Sequence, residues 1–188
     1  MKAIVQQSQL AHGVGVVQRA VTPRSTLPVL SNILIKTDGG RLRLSATNLE
    51  LGISAWIDAR VEDEGGLTVP ARTFADLVSN LPSQDVILSV DTRTQTLNVK
   101  CGTLNTDIKG ISADEFPPMP APDLDAAIPL NVGNFKEMIG QVVFAASTED
   151  SRPNLTGVHM SFEDEVLEMA ATDGYRISIS RAAMVGMG

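Results

Sequence analysis

Glu149, Asp150, Arg152 and Asp173 are the side chains that could handle a polar substrate, with acids to move protons and an arginine to hold an anion. No serine–histidine–aspartate set, glycine-rich phosphate loop or paired histidines accompanies them, so a hydrolase has thin support. The run Glu163-Asp164-Glu165 offers carboxylate oxygens for a divalent cation, but between two alternating segments it reads as a solvated turn. Cys101 is the single cysteine, which leaves no intrachain disulfide and no multi-cysteine metal site. Its alternating neighbours make it a buried or half-buried strand thiol. His12 and His159 stand far apart, without partners at metal-ligand spacing. No metal or cofactor is expected, and binding becomes the more natural task.

The bulk properties limit what is bound. The 188 residues are 43% hydrophobic and 20% charged, the profile of an ordinary globular chain. A net charge of -7 argues against a protein that grips nucleic acid over its whole surface, though it permits contact through a local patch. No apolar run reaches the roughly 18 residues that cross a bilayer, and the start Met1-Lys2-Ala3-Ile4-Val5 lacks the apolar core of a signal peptide. A cytoplasmic protein with no membrane partner is expected.

The elements that must position any site come twice. A shift of 125 residues without gaps sets Thr47 on Thr172, Ala46 on Ala171, Leu30 on Leu155, Leu42 on Leu167, Val17 on Val142 and Gly15 on Gly140. Leu10, Val14, Val17 and Val21 form one apolar helical stripe, and the shift carries it to Phe135, Ile139, Val142 and Ala146. Strand-like starts precede both helices, Lys2 to Val5 and Ala127 to Leu130. Ser8 is a candidate N-cap for the first, and Asn134 with Glu137 a candidate capping box for the second. Gly13 and Gly15 weaken the first helix, so packing must hold it. Each helix is followed by a hairpin: Leu30–Lys36 and Arg41–Ser45 around Gly39-Gly40, then Leu155–Ser161 and Val166–Ala170 around the acidic turn.

The first copy continues further. Leu67–Val69 leads to a short helix from about Thr73, boxed by Asp76, with Phe74, Leu77, Val78 and Leu81 on one face and Pro82 ending it. Alternating strands are expected at Val86–Val90, Thr96–Lys100 and Leu104–Lys109. The stretch Asp114–Pro122 has four prolines in nine residues and reads as a connector. The expected division is therefore a domain over 1–121 and the first half of a second, truncated copy over 122–188.

Five short motifs point to a family: Arg24-Ser25-Thr26-Leu27-Pro28-Val29-Leu30, Val69-Pro70-Ala71-Arg72, Asp114-Glu115-Phe116-Pro117, Arg152-Pro153-Asn154-Leu155-Thr156-Gly157 and Ala171-Thr172-Asp173-Gly174-Tyr175-Arg176. In this order and spacing they resemble the N-terminal half of the bacterial DNA polymerase III beta subunit, the sliding clamp. The resemblance implies an α+β DNA-clamp fold of repeated domains, each with two helices packed on antiparallel sheets. It implies a non-catalytic processivity factor whose full-length chains close as a homodimer ring around double-stranded DNA. The helices at about 8–21, 73–81 and 134–146 would line the hole, with His12, Arg19, Arg72 and Lys136 on their polar faces.

The same resemblance places DNA contacts at Arg24, Arg72, Glu149, Arg152, Pro153 and Asn154. It places part of a peptide-binding pocket at Leu155, Thr172, Gly174, Tyr175, Arg176 and Ile177, with Leu155 and Ile177 as floor and Tyr175 and the Arg176 stem as walls. The implied partners are the DNA polymerase III alpha subunit, the clamp loader and other proteins carrying a clamp-binding motif. The residues by themselves also allow a non-catalytic peptide-interaction domain that never touches DNA.

Overall fold

The computed structural model describes residues 1–22, 27–121, 125, 127 and 129–183. The chain divides into two compact units, Met1–Ala121 and Pro122–Gly188. Unit 1 opens with β1 (Lys2–Gln6) and α1 (Gln7–Val17), continued by a 3-10 turn at Gln18–Ala20. Then come β2 (Asn32–Asp38), β3 (Arg41–Thr47), β4 (Gly52–Ile57), β5 (Arg60–Asp63), β6 (Gly66–Pro70) and α2 (Ala71–Ser79). Strands β7 (Asp85–Asp91), β8 (Thr96–Cys101), β9 (Leu104–Lys109) and β10 (Ile111–Ser112) complete it. Two five-stranded antiparallel sheets result, ordered β5-β1-β7-β8-β9 and β10-β6-β2-β3-β4.

The sheets bury their inner faces beneath the two helices. Helix α1 packs on α2 and on β3 and β4. Leu10, Val14 and Val17 of α1, Phe74 and Val78 of α2, and Leu42, Leu44, Leu67, Leu88 and Leu97 of the strands join one core. Gly13 seats α1: a Cβ there would stand 2.9 Å from Leu44 Cδ1 and 3.1 Å from Ile57 Cγ2. Cys101 is buried at the end of β8, its Sγ 3.6 Å from the Pro82 carbonyl.

Unit 2 repeats the beginning of this plan with α3 (Val132–Val142), a 3-10 turn at Val143–Ala145, β11 (His159–Glu163), β12 (Val166–Thr172) and β13 (Ile177–Ala183). Its sheet runs β11-β12-β13. The 125-residue shift holds in the pairing itself. Leu34 faces Ser45 as His159 faces Ala170, and Thr47 faces Gly52 as Thr172 faces Ile177. The two-residue turns agree as well: Gly39 and Gly40 have φ of 56° and 77°, Asp164 and Glu165 of 49° and 63°. Positive φ at both central residues is what the strand twist selects in a two-residue hairpin. The acidic run is thus the second hairpin's turn.

Several details differ from the sequence expectations. Helix α1 starts at Gln7 with extended Gln6 before it and no side-chain cap, so Ser8 lies inside the first turn. Helix α2 starts at Ala71, two residues before Thr73, and Asp76 faces Arg72 instead of closing a box. Asn131, not Asn134, caps α3: its Oδ1 accepts the Asn134 N–H at 3.1 Å, while Glu137 accepts from Gln141 Nε2 at 3.2 Å.

The described residues Ala127, Pro129 and Leu130 are not in a strand, consistent with Pro129 having no N–H to give a ladder. Strand β2 starts at Asn32 and β11 at His159, because 3-10 turns occupy Pro28–Ser31 and Pro153–Leu155. The stripe of α3 is rotated: Met138 and Val142 are buried, whereas Ile139 is 37% exposed. In unit 1 α2 lies beside α1, and unit 2 has no counterpart of α2 among the described residues.

Glycine at positions 13 and 15 makes a direct test. Nothing lies within 4 Å of a Cβ at Gly15, so Gly15→Ala should stabilise α1 by about 0.5–1 kcal/mol through helix propensity. Overpacking of Leu44 and Ile57 should outweigh that gain in Gly13→Ala, at a cost of roughly 1–3 kcal/mol. Thermal unfolding followed at Trp56, the single tryptophan, should show a rise of roughly 1–4 °C for Gly15→Ala and a fall for Gly13→Ala. Equal shifts for the two would contradict this packing.

Candidate functional site

The loop from Thr172 to Ile177 is organised by two short polar side chains. Thr172 Oγ1 donates to the Arg176 carbonyl at 2.6 Å and accepts the Gly174 N–H at 3.0 Å. Asp173 Oδ1 accepts the N–H groups of Tyr175 at 2.9 Å and Arg176 at 3.0 Å, and Oδ2 accepts from Arg176 Nε at 2.9 Å. The two backbone N–H groups, followed by the Arg176 charge, hold the Asp173 carboxyl below its ordinary range. Gly174 sits at φ +91°, a conformation that side chains resist. Arg152 lies over it, with Nη1 3.1 Å from where a Cβ on Gly174 would stand.

Beside this loop is a groove of about 270 Å³ whose lining includes Asn154, Leu155, Val158, Ala171, Thr172 and Ile177. Leu155 ends the 3-10 turn Pro153–Leu155, and its carbonyl accepts the Ser147 N–H at 2.8 Å. Ala171 is buried and Val158 half-buried, so these two supply the floor, together with Leu155. Sequence reasoning passes over both Val158 and Ala171 as pocket residues, because their pattern is that of plain sheet core.

The expected pocket residues separate into two groups. Leu155, Thr172 and Ile177 line the groove, while Gly174, Tyr175 and Arg176 form the loop next to it. Ile177, 66% exposed, is rim and not floor. Tyr175, 96% exposed, is no wall either. The Asp173 cap explains this: it draws the Arg176 guanidinium back onto the loop and over Phe144, 5.6 Å from the ring centroid, and leaves Tyr175 in solvent. Phe144 therefore joins the site although no motif marks it. It projects from the 3-10 turn after α3, 57% exposed.

The residues expected at DNA fall in separate places. Arg24 lies outside the described residues. Arg72, in the first turn of α2, has a side chain 96% exposed and stands 3.9 Å from Asp76. Glu149, Arg152, Pro153 and Asn154 share one exposed loop of unit 2, which is folded by its own bonds. The Glu149 N–H donates to Ser147 Oγ at 3.0 Å, the Arg152 N–H to the Glu149 carbonyl at 3.4 Å, and the Thr156 hydroxyl to the Pro153 carbonyl at 2.8 Å. His12 and Arg19, which follow α1's outer face, and Lys136 on α3 are not buried. Among the described residues, no group of three or more His, Cys, Asp or Glu could hold a metal ion, and no helix is long and apolar enough to cross a membrane.

Two helix-on-sheet units that repeat each other in the same strand register define an α+β fold of the clamp class. The chain belongs to the DNA polymerase III beta subunit family: the model of that family's N-terminal domain matches residues 1–120 and that of its central domain residues 129–186. It is 38% identical to the beta sliding clamp of Synechocystis sp. over 189 residues, covering 97% of this chain and 48% of the relative. Identity to the beta sliding clamp of Synechococcus elongatus is 39% over 182 residues, covering 95% and 48%.

Solved structures agree. The DNA polymerase sliding clamp of Bacillus subtilis superposes with a TM-score of 0.90 at 29% identity, over 97% of this chain and 50% of that one. That of Caulobacter crescentus does so with 0.87 at 31%, over 99% and 53%. The chain spans about half the length of the curated relatives it matches. The family resemblance carried by the five motifs and the α+β clamp fold are both borne out.

The Asp173 cap predicts a pH response. A depressed folded value means the cap's contribution is fully present above the ordinary carboxylate pKa, roughly 3.9, and is lost as pH falls through the folded value. Hydrogen exchange at the Tyr175 and Arg176 amides should be slow at neutral pH and accelerate, relative to reference amides, only below that range. Asp173→Ala should speed exchange at both amides at pH 7, while Asp173→Asn, which keeps an acceptor oxygen, should largely preserve protection. Unaltered exchange in Asp173→Ala would refute the role.

Proposed function

We propose that this chain forms part of a DNA sliding clamp, a cytoplasmic processivity factor that encircles duplex DNA and tethers the replicative polymerase without a catalytic site of its own. The observation that carries this reading is the repetition of one helix-on-sheet unit in identical strand register, in a chain of the beta subunit family. Identical units are the natural way to build a closed curve, and homodimerisation of full-length chains would close it. A ring holds DNA by topology, so its affinity for phosphate can stay low and salt-tolerant enough to slide. A net charge of -7 with dispersed exposed cations suits that requirement. The gain is effective concentration: a polymerase bound to the ring cannot leave the template.

Arg72, Arg152 and Asn154 are assigned to DNA contact, with Arg24 as a fourth member. Glu149 and Pro153 have no cation or side-chain donor to offer a phosphate, so their part is to shape the loop that presents Arg152. The groove beside Thr172 takes short apolar peptides from the polymerase III alpha subunit, the clamp loader and other proteins with a clamp-binding motif. Leu155, Val158 and Ala171 receive the apolar side chains, Ile177 forms the rim, and the fixed Thr172–Arg176 loop frames the entrance. Asp173 is committed to that loop, which leaves it unsuited to act as an acid or base.

Chains of the relatives' full length, loaded on closed circular DNA, should stay bound and should dissociate once the circle is cut. Arg72→Ala and Arg152→Ala should each flatten the slope of log K against log salt by about 0.9 for every phosphate left without its cation. Equal release from circular and linear DNA would overturn the encircling mechanism and leave a peptide-binding module.

A further inference from the structure

The two units agree closely at a loop. Thr47 Oγ1 donates to the Leu51 carbonyl and accepts the Leu49 N–H, both at 3.0 Å, as Thr172 does in its own loop. Asn48 Oδ1 accepts the N–H groups of Glu50 at 3.0 Å and Leu51 at 2.6 Å, as Asp173 does from Tyr175 and Arg176. Leu49, at φ +77°, stands where unit 2 has Gly174 at φ +91°. In unit 2 the space next to this loop is an open groove. The shift of 125 residues maps its Asn154, Leu155, His159, Thr172 and Ile177 onto Val29, Leu30, Leu34, Thr47 and Gly52.

In unit 1 that space is filled. Phe116, only 8% exposed, is buried with Val29, Leu30 and Leu34, and Met119 packs against the same cluster. Met119 also covers Gly52: a Cβ there would meet its Cε at 2.5 Å and its Sδ at 3.1 Å. The matching position in unit 2 is Ile177, 66% exposed at the rim of the groove. We propose that unit 1 carries a second apolar peptide groove, closed in cis by the chain's own segment Phe116–Met119. That the groove's class of ligand is a peptide rests on the reading of unit 2 given above.

The segment has the chemistry of such a ligand. Phe116 has φ -74° and ψ 133°, in the polyproline region, and Pro117 and Pro118 restrict the backbone before Met119. Two apolar side chains three residues apart are thus presented with little ordering cost. Methionine, unbranched and flexible, fits an irregular space over a glycine. A tethered segment competes at an effective concentration on the order of 1 mM, so free peptides at lower concentration cannot enter.

The test uses the whole 188-residue chain and, as probe, the synthetic peptide Ala-Asp-Glu-Phe-Pro-Pro-Met-Pro-Ala, the sequence of residues 113–121. At roughly 0.1 mM probe, a tenth of the effective concentration above, NMR of the unaltered chain should show shifts at Leu155, Thr172 and Ile177 alone. Met119→Ala should add shifts at Leu30, Leu34 and Gly52. Gly52→Ala provides a second route, because its methyl would expel the Met119 side chain: peroxide should then oxidise Met119 several-fold faster than in the unaltered chain. A folded Met119→Ala chain with no response at Leu30, Leu34 and Gly52 overturns the proposal. If Met119→Ala does not fold, unchanged Met119 oxidation in Gly52→Ala overturns it. Shifts in unit 1 without shifts in unit 2 would support the second groove and defeat the peptide assignment of the first.

Discussion

Everything in unit 1 depends on the seating of α1 against β3 and β4. The approach is close because residue 13 has no side chain, which brings the helix backbone onto Leu44 and Ile57. With α1 fixed there, Leu10, Val14 and Val17 face the sheets and α2, and His12 and Arg19 are forced outward. Burial of a leucine- or valine-sized side chain is worth about 1.5–3 kcal/mol, whereas the helix has no side-chain cap and two glycines. Packing therefore decides that this segment is helical, and the direction of its polar face follows from the packing. The orientation of the exposed His12 on α1 is a by-product of core formation.

Unit 2 solves the same problem with larger residues. Met138 replaces Gly13 at the seat and is 4% exposed, so α3 rests on a side chain where α1 rests on backbone. The helices share the buried positions Val17 and Val142, and Ala20 and Ala145. They diverge at Val14, which is buried, and Ile139, which is partly exposed. The methionine spacer at the seat accompanies that difference, and the strand register does not change.

These comparisons show what the sequence could reveal. Strand alternation and hairpin position are legible because they depend on local side-chain pattern and turn chemistry, which the 125-residue shift preserves. Helix starts are misread because Ser8, Asn134 and Thr73 look like caps, while the real starts are set by the preceding strands or by Asn131. Strands β4 and β5 escape notice, since alanine, serine and acidic residues dilute their apolar alternation. The loop residues of the site are found through a motif, but their roles are not. No local pattern says that Asp173 would claim Arg176, or that Phe144, far away in sequence, would stack beneath it. Phe116 and Met119 are concealed by their prolines, which mark a connector and give no hint of a buried anchor.

The loop closed by Thr47 and Thr172 also explains how one backbone can serve two ends. A threonine hydroxyl and an Asx oxygen satisfy four loop hydrogen bonds in each copy, so the conformation does not depend on what the other loop side chains do. That frees positions 49–52 and 174–177 to vary. In unit 1 they are Leu-Glu-Leu-Gly, and the glycine admits a neighbouring segment of the chain. In unit 2 they are Gly-Tyr-Arg-Ile, which puts an aromatic ring, a cation and an aliphatic rim next to open space. A self-supporting loop is the condition for this divergence. If its shape relied on packing among its own apolar side chains, exchanging them would unfold the hairpin.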